Sequence, residues 1–142
     1  MAQRPVVMVA RGIRKRCARC GTKVRFIRYF RLPERCHGCG YKFDREEGGF
    51  TGVYLVNYGF TAMVLVLSIF GFILYTVASD GGGSILVFLG IGFAIAILLP
   101  TWFYPRAATI WASLNLLMRP LEPDEEAAAA TWMAAKEQPP EQ

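Results

Sequence analysis

Residues 48–105 read GGFTGVYLVNYGFTAMVLVLSIFGFILYTVASDGGGSILVFLGIGFAIAILLPTWFYP, and among these 58 positions the one charged residue is Asp80. A soluble fold cannot hide so long an unbroken apolar stretch, so the run predicts a membrane protein. A carboxylate at the centre of a spanning helix costs about 2.5–3.5 kcal/mol, which puts Asp80 in a loop. The stretch therefore divides into a first transmembrane helix over 50–78, an external loop over 79–84 and a second transmembrane helix over 85–104. At a rise of about 1.5 Å per residue, some twenty residues cross the roughly 30 Å hydrocarbon layer, and the first segment has a turn or two to spare. Pro100 is expected to kink the end of the second helix, and Gly90, Gly92 and Ala94 form a small-residue patch for close packing against the first. Asn57 is the polar amide of the first helix. Its position near Tyr54 and Tyr58 suits the membrane interface, with a functional amide in the lipid as the other reading.

Charge is distributed unevenly about these spans. Residues 1–47 carry 13 Lys and Arg against 4 acids, for +9, whereas residues 106–142 carry 3 against 6, for −3. Two spans place both termini on one side, and the positive-inside rule makes that side the cytoplasm. Arginines beside a membrane segment have anionic headgroups as a ready partner, each contact worth about 1 kcal/mol. Lipid is thus the first expected partner. Nucleic acid is disfavoured although basic and aromatic residues interleave, because tethering to a bilayer restricts the search and the aromatics are needed to shield a small core.

The basic part contains all four cysteines, as Cys17-Ala18-Arg19-Cys20-Gly21 and Cys36-His37-Gly38-Cys39-Gly40. A two-residue gap lets each pair curl both sulfurs toward one ion, and the glycine after each pair accepts a positive φ. Fifteen residues separate the pairs, which is zinc-ribbon spacing. Cys17, Cys20, Cys36 and Cys39 are therefore the expected metal ligands, with zinc ahead of iron. Disulfides would need an oxidising compartment, and the opening residues Met1-Ala2-Gln3-Arg4-Pro5 begin no stretch long enough for a secretory signal. His37 stands between ligands that already complete a tetrahedral set and is read as a bystander.

The remaining segments follow from local pattern. Residues 1–15 are expected to form a basic flexible arm, 16–47 the ribbon with two short strands between the knuckles, and 120–142 an acidic Ala- and Pro-rich tail with a frayed helix over 125–136. Ala107, Ile110, Trp111, Leu114, Leu117 and Met118 recur at helical spacing between Arg106 and Arg119. They predict an amphipathic helix over 106–119, lying on the cytoplasmic face or docked on a partner. The fold class is thus an α-helical membrane protein with an N-terminal cytoplasmic zinc ribbon, a two-helix transmembrane hairpin and a cytoplasmic amphipathic helix.

Cys17, Cys20 and Gly21, then Phe30-Arg31-Leu32, Glu34-Arg35-Cys36, Cys39 and Gly40, resemble a bacterial family of small membrane proteins, domain-of-unknown-function family nine-eight-three. The likeness continues through Arg45-Glu46-Glu47-Gly48, Phe50, Gly52 and Asn57 to Pro105 and 116–123, and covers roughly residues 16–126. Ala18 stands where the family commonly has a proline. The resemblance implies a cytoplasmic zinc ribbon on two transmembrane helices of the bacterial inner membrane, with no agreed activity. It also implies, through the gene context of some members, an association with maturation of a respiratory oxidase.

Four thiolates fill a tetrahedral ion and leave no open position, and Asp44, Glu46 and Glu47 lack a nucleophile or base partner, so an enzyme is not expected. The leading expectation is a non-catalytic membrane adaptor or accessory subunit docking on an integral, respiratory-type membrane complex through Arg45, Glu46, Glu47, Asn57 and Trp111. A membrane-anchored iron electron carrier or thiol redox switch is the alternative.

Overall fold

The computed structural model describes residues 4–45, 50–79 and 81–137. Its elements are α1 (Pro5–Ile13), α2 (Phe50–Ala78), α3 (Ile85–Met118) and α4 (Pro123–Glu137), with the cysteine knuckles between α1 and α2. Both α2 and α3 are long and apolar enough to cross a membrane. Little of either shaft is core: 6% and 0% of the most apolar window of each is buried. The two helices meet through large rings: Phe60 stacks on Phe103 and Phe72 on Phe88, each at 4.2 Å between centroids. The small-residue patch does not mediate this contact. A Cβ built on Gly90 or Gly92 would have no neighbour within 4 Å, and Ala94 is exposed.

The second span and the amphipathic helix expected after it form one continuous helix, α3, with Pro100 and Pro105 inside it. A mid-helix proline removes one backbone donor and crowds the preceding turn, so continuity through Pro105 has to be supported by packing. That support comes from the far end of α3, where Ala107, Ala108, Thr109, Ala112, Ser113 and Leu116 are buried. This is mainly the small-residue face of the segment. Met118, assigned to the apolar face by its spacing, is 63% exposed.

The expected arm is instead helical over Pro5–Ile13, with Pro5 in the first turn, where a missing N–H costs nothing. It packs on α3 because Gly12 has no side chain. A Cβ there would lie 2.5 Å from Ser113 Oγ and 2.9 Å from the Thr109 carbonyl. Thr109 Oγ1 donates to the Gly12 carbonyl at 2.7 Å and fixes the crossing point. Among the described residues the ribbon has isolated bridges, Arg16 with Lys23, Arg28 with Arg31 and Arg35 with Lys42, in place of the two strands expected. The tail helix extends the expected 125–136 to Pro123–Glu137, with Asp124, Glu125 and Glu126 in its first turn and Lys136 in its last, favourable at the two ends of the helix dipole.

Candidate metal centre

Each knuckle is a closed turn made in the same way. Gly21 N–H donates to the Cys17 carbonyl and Cys17 N–H to the Thr22 carbonyl, both at 2.8 Å, and Gly40, Cys36 and Tyr41 repeat the pattern at 2.8 Å. Gly21 and Gly40 close the turns at φ +78° and +69°, in the left-handed region that glycine enters without penalty. One step outward, Val24 N–H donates to Lys15 O at 3.0 Å and Phe43 N–H to Glu34 O at 3.1 Å. The ribbon is thus a doubled unit, and its two copies face each other across the sulfurs.

The four sulfurs lie within 4.8 Å of one another. Cys17 Sγ is 3.8 Å from Cys39 Sγ, and Cys20 Sγ is 3.7 Å from Cys36 Sγ. A tetrahedron with metal–sulfur arms of about 2.3 Å has edges of about 3.8 Å, so the donor set fits a four-thiolate ion. All four cysteines are free, and these separations are far too long for a disulfide. At this spacing the thiols do not hold their protons independently. Contact with Cys36 and then Cys39, followed by burial, pushes Cys17 up, whereas contact with Cys17 and then Cys39 pulls Cys36 down. Bringing in a cation relieves this by replacing the protons. His37 is exposed and is not part of the sulfur cluster; its carbonyl accepts Lys136 Nζ at 3.0 Å.

Cys17 and Cys36 are sealed from solvent, Cys39 is half-buried and Cys20 is exposed. The seal is shared with the helices. Met8 of α1, Leu116 of α3, Val24 and Tyr41 are buried against Cys17 and Cys36 in one apolar cluster. Tyr41 is 1% exposed and its hydroxyl has no partner; burial, only partly offset by the nearby Arg45, pushes its pKa up to about 12. Gly40 is bare for a second reason: a Cβ would strike the carbonyl of Ala129, because α4 lies across the second knuckle.

Of the five residues expected to bind a partner, Arg45, Asn57 and Trp111 are described, and each has its own contacts within the chain. Glu46 and Glu47 lie outside the described residues. Arg45 is spent inside the molecule, with its side chain 6% exposed: it clasps the Glu125 carboxylate through Nε at 2.7 Å and through a second contact from Nη2. It also donates to the Arg119 carbonyl at 2.6 Å and the Pro120 carbonyl at 3.2 Å. Asn57 is 3% exposed between α2 and α3, where Nδ2 donates to the Pro100 carbonyl at 3.2 Å and Oδ1 has no partner. The amide is thus directed at α3, beside the prolines that interrupt its hydrogen bonding. Trp111 is half-buried, its indole where a Gly52 side chain would be, and it borders a cavity of about 360 Å³ with Leu32, Phe43 and Asp44.

The sequence reading missed Gly12, Thr109, Ser113 and Glu125. Glu125 had one local signal, an acid in the first turn of a helix. The other three had none, because their partners lie about a hundred residues away.

A family described as Protein of unknown function (DUF983) matches residues 26–120. The match begins after the first knuckle and stops before α4, so it is narrower than the 16–126 likeness read from the sequence and contains only Cys36 and Cys39 of the four sulfurs. No curated protein and no solved structure matches.

Proposed function

The chain belongs to the DUF983 family, whose description assigns no activity, and we propose that it is a non-catalytic, two-span membrane adaptor or accessory subunit built around a structural zinc site. The observation that carries this reading is the pairing of a closed four-sulfur set with a shared core. The ligands sit at tetrahedral separations, and the same apolar cluster holds Leu116 of α3. Four protein ligands leave zinc no position for water or substrate, so the ion's role would be to hold the ribbon in shape against the helices. In this reading α2 and α3 cross the bacterial inner membrane, both termini are cytoplasmic because the basic residues precede α2, and the ribbon presents a docking face to an integral complex, for instance a respiratory one.

The alternative, an iron electron carrier or thiol switch, draws support from the exposure of Cys20, which would put one ligand within reach of a redox partner. One preparation tests both. Tagged protein from a mild-detergent extract should carry about one zinc per chain and co-purify with a membrane complex. The triple variant Glu46→Ala, Glu47→Ala, Trp111→Ala should lose that complex and keep its zinc. Retention of the complex by the variant defeats the docking assignment. A thiolate-to-iron absorption band that dithionite bleaches and air restores replaces the adaptor with the electron carrier.

A further inference from the structure

We infer that the turn between the two knuckles is a membrane wedge: Ile27, Tyr29 and Phe30 seat in the interfacial layer of the leaflet nearest the ribbon, and Arg25, Arg28 and Arg31 bind its anionic headgroups. The inference rests on α2 and α3 spanning a bilayer and is independent of any partner protein.

A ribbon this small has few apolar residues to spare. Val24, Tyr41, Phe26, Leu32 and Phe43 are buried or half-buried around the sulfurs and the helices. Among the described ribbon residues the large apolar side chains left exposed are gathered at the turn, Ile27 at 66%, Tyr29 at 50% and Phe30 at 52%. The backbone makes the turn tight: Arg31 N–H donates to Arg28 O at 3.0 Å and Ile27 N–H to Arg31 O at 3.1 Å. Tyr29 and Phe30 therefore stand at its tip, their rings edge to face at 5.0 Å.

The position of the tip along α3 identifies the surface it meets. Tyr29 Oη donates to the Trp102 carbonyl at 3.3 Å, and the Phe30 ring lies 5.3 Å from that of Tyr104. Counted from Ile85, Trp102 lies about 26 Å along the helix, and Tyr58 lies about 30 Å along α2 from Ala78, so both mark the near edge of a roughly 30 Å hydrocarbon slab. Trp102, Tyr54 and Tyr58 are exposed at this level, and Arg106 caps the Trp102 ring at 4.2 Å. That is the composition of an interfacial aromatic belt, and the tip of the ribbon adds Tyr29 and Phe30 to it. Arg25, Arg28 and Arg31 are exposed and, among the described residues, make no side-chain hydrogen bond or ion pair, which leaves three guanidinium forks for phosphate oxygens at the headgroup level.

The test uses the full chain in nanodiscs of equal parts phosphatidylethanolamine and phosphatidylglycerol, with a benzophenone amino acid in place of Phe30 or, separately, of the exposed Lys42, which is bridged to Arg35 at the second knuckle. Illumination should give lipid adducts at position 30 far above those at 42. Phosphatidylglycerol should be favoured about fivefold or more, equivalent to the ~1 kcal/mol that one arginine contributes at an anionic surface. Arg25→Gln, Arg28→Gln and Arg31→Gln together should remove that preference. Adducts no more abundant at 30 than at 42, adducts on protein alone, or equal labelling of the two lipids in the unsubstituted protein overturn the inference. No partner is present in the nanodisc, so this outcome is read separately from the co-purification that tests the adaptor role.

Discussion

Replacing Arg45 by Gln should release α4 from the ribbon without disturbing α2 or the shaft of α3. Ala129 is the fully buried residue of this helix, with Trp132 and Met133 half-buried, and a free helix of this length is marginal in water. Polar contacts add to this attachment. Two of these are weak: Arg19 with Glu126 at 3.4 Å, where the glutamate side chain is 56% exposed, and Arg35 to the Ala128 carbonyl at 3.5 Å. Lys136 to the His37 carbonyl at 3.0 Å adds one ordinary bond near the far end. Arg45 makes the shortest of these contacts, with its fork on Glu125 and its bonds to the carbonyls of Arg119 and Pro120 just before α4 begins. A buried pair broken on one side costs about 3–5 kcal/mol. Glu125 keeps 30% of its side chain in water, which lowers the expected loss to about 2–4 kcal/mol. That corresponds to roughly a thirty- to thousandfold shift toward the undocked helix. Amide hydrogen exchange of the detergent-solubilised protein, followed by mass spectrometry, should show faster exchange over 123–137 in that range, with α2 unchanged. A change in α4 of less than about threefold would mean that apolar packing on Gly40 holds it and that the clamp argument is wrong.

Acid should mimic this variant. Arg45 beside Glu125 holds that carboxyl below its ordinary 4.5, so the pair's contribution is complete above the unfolded carboxylate value and fades as pH falls through the lowered folded one. Exchange over α4 should therefore accelerate only below 4.5, and Glu125→Gln should flatten the profile; an α4 that loosens between neutral pH and 5.5 speaks against the assignment. Cys17→Ser with Cys39→Ser should empty the metal site and unfold the knuckles, since ion binding worth about 10–16 kcal/mol in zinc-finger peptides exceeds what so small a core supplies; zinc analysis equal to wild type counts against the site. Gly52→Ala would drive a methyl into the Trp111 ring and should cost about 1–3 kcal/mol of thermal stability. Trp111→Ala in the same chain should recover much of that loss, and additive effects in the double-mutant cycle would refute the contact.

The features legible in the sequence are those carried by a local code. Hydropathy over a twenty-residue window is enough to find the apolar shafts of α2 and α3, because fitness to cross a bilayer is a matter of length and apolarity. The paired two-residue cysteine gaps likewise bring the sulfurs to tetrahedral spacing, because each knuckle closes on its own backbone bonds. What the window could not contain are choices made by partners distant in the chain. Pro5–Ile13 reads as a basic arm until Gly12 finds Thr109 and Ser113, whose small side chains admit its backbone. Pro105 reads as a break until packing of the turns beyond it offsets the missing hydrogen bond. Arg45 reads as a docking residue until Glu125 arrives on α4, and nothing local to Asn57 announces the Pro100 carbonyl that its amide meets. In each case a close approach or a buried polar pairing decides the outcome, and both depend on where the chain returns in space, which local propensity does not encode.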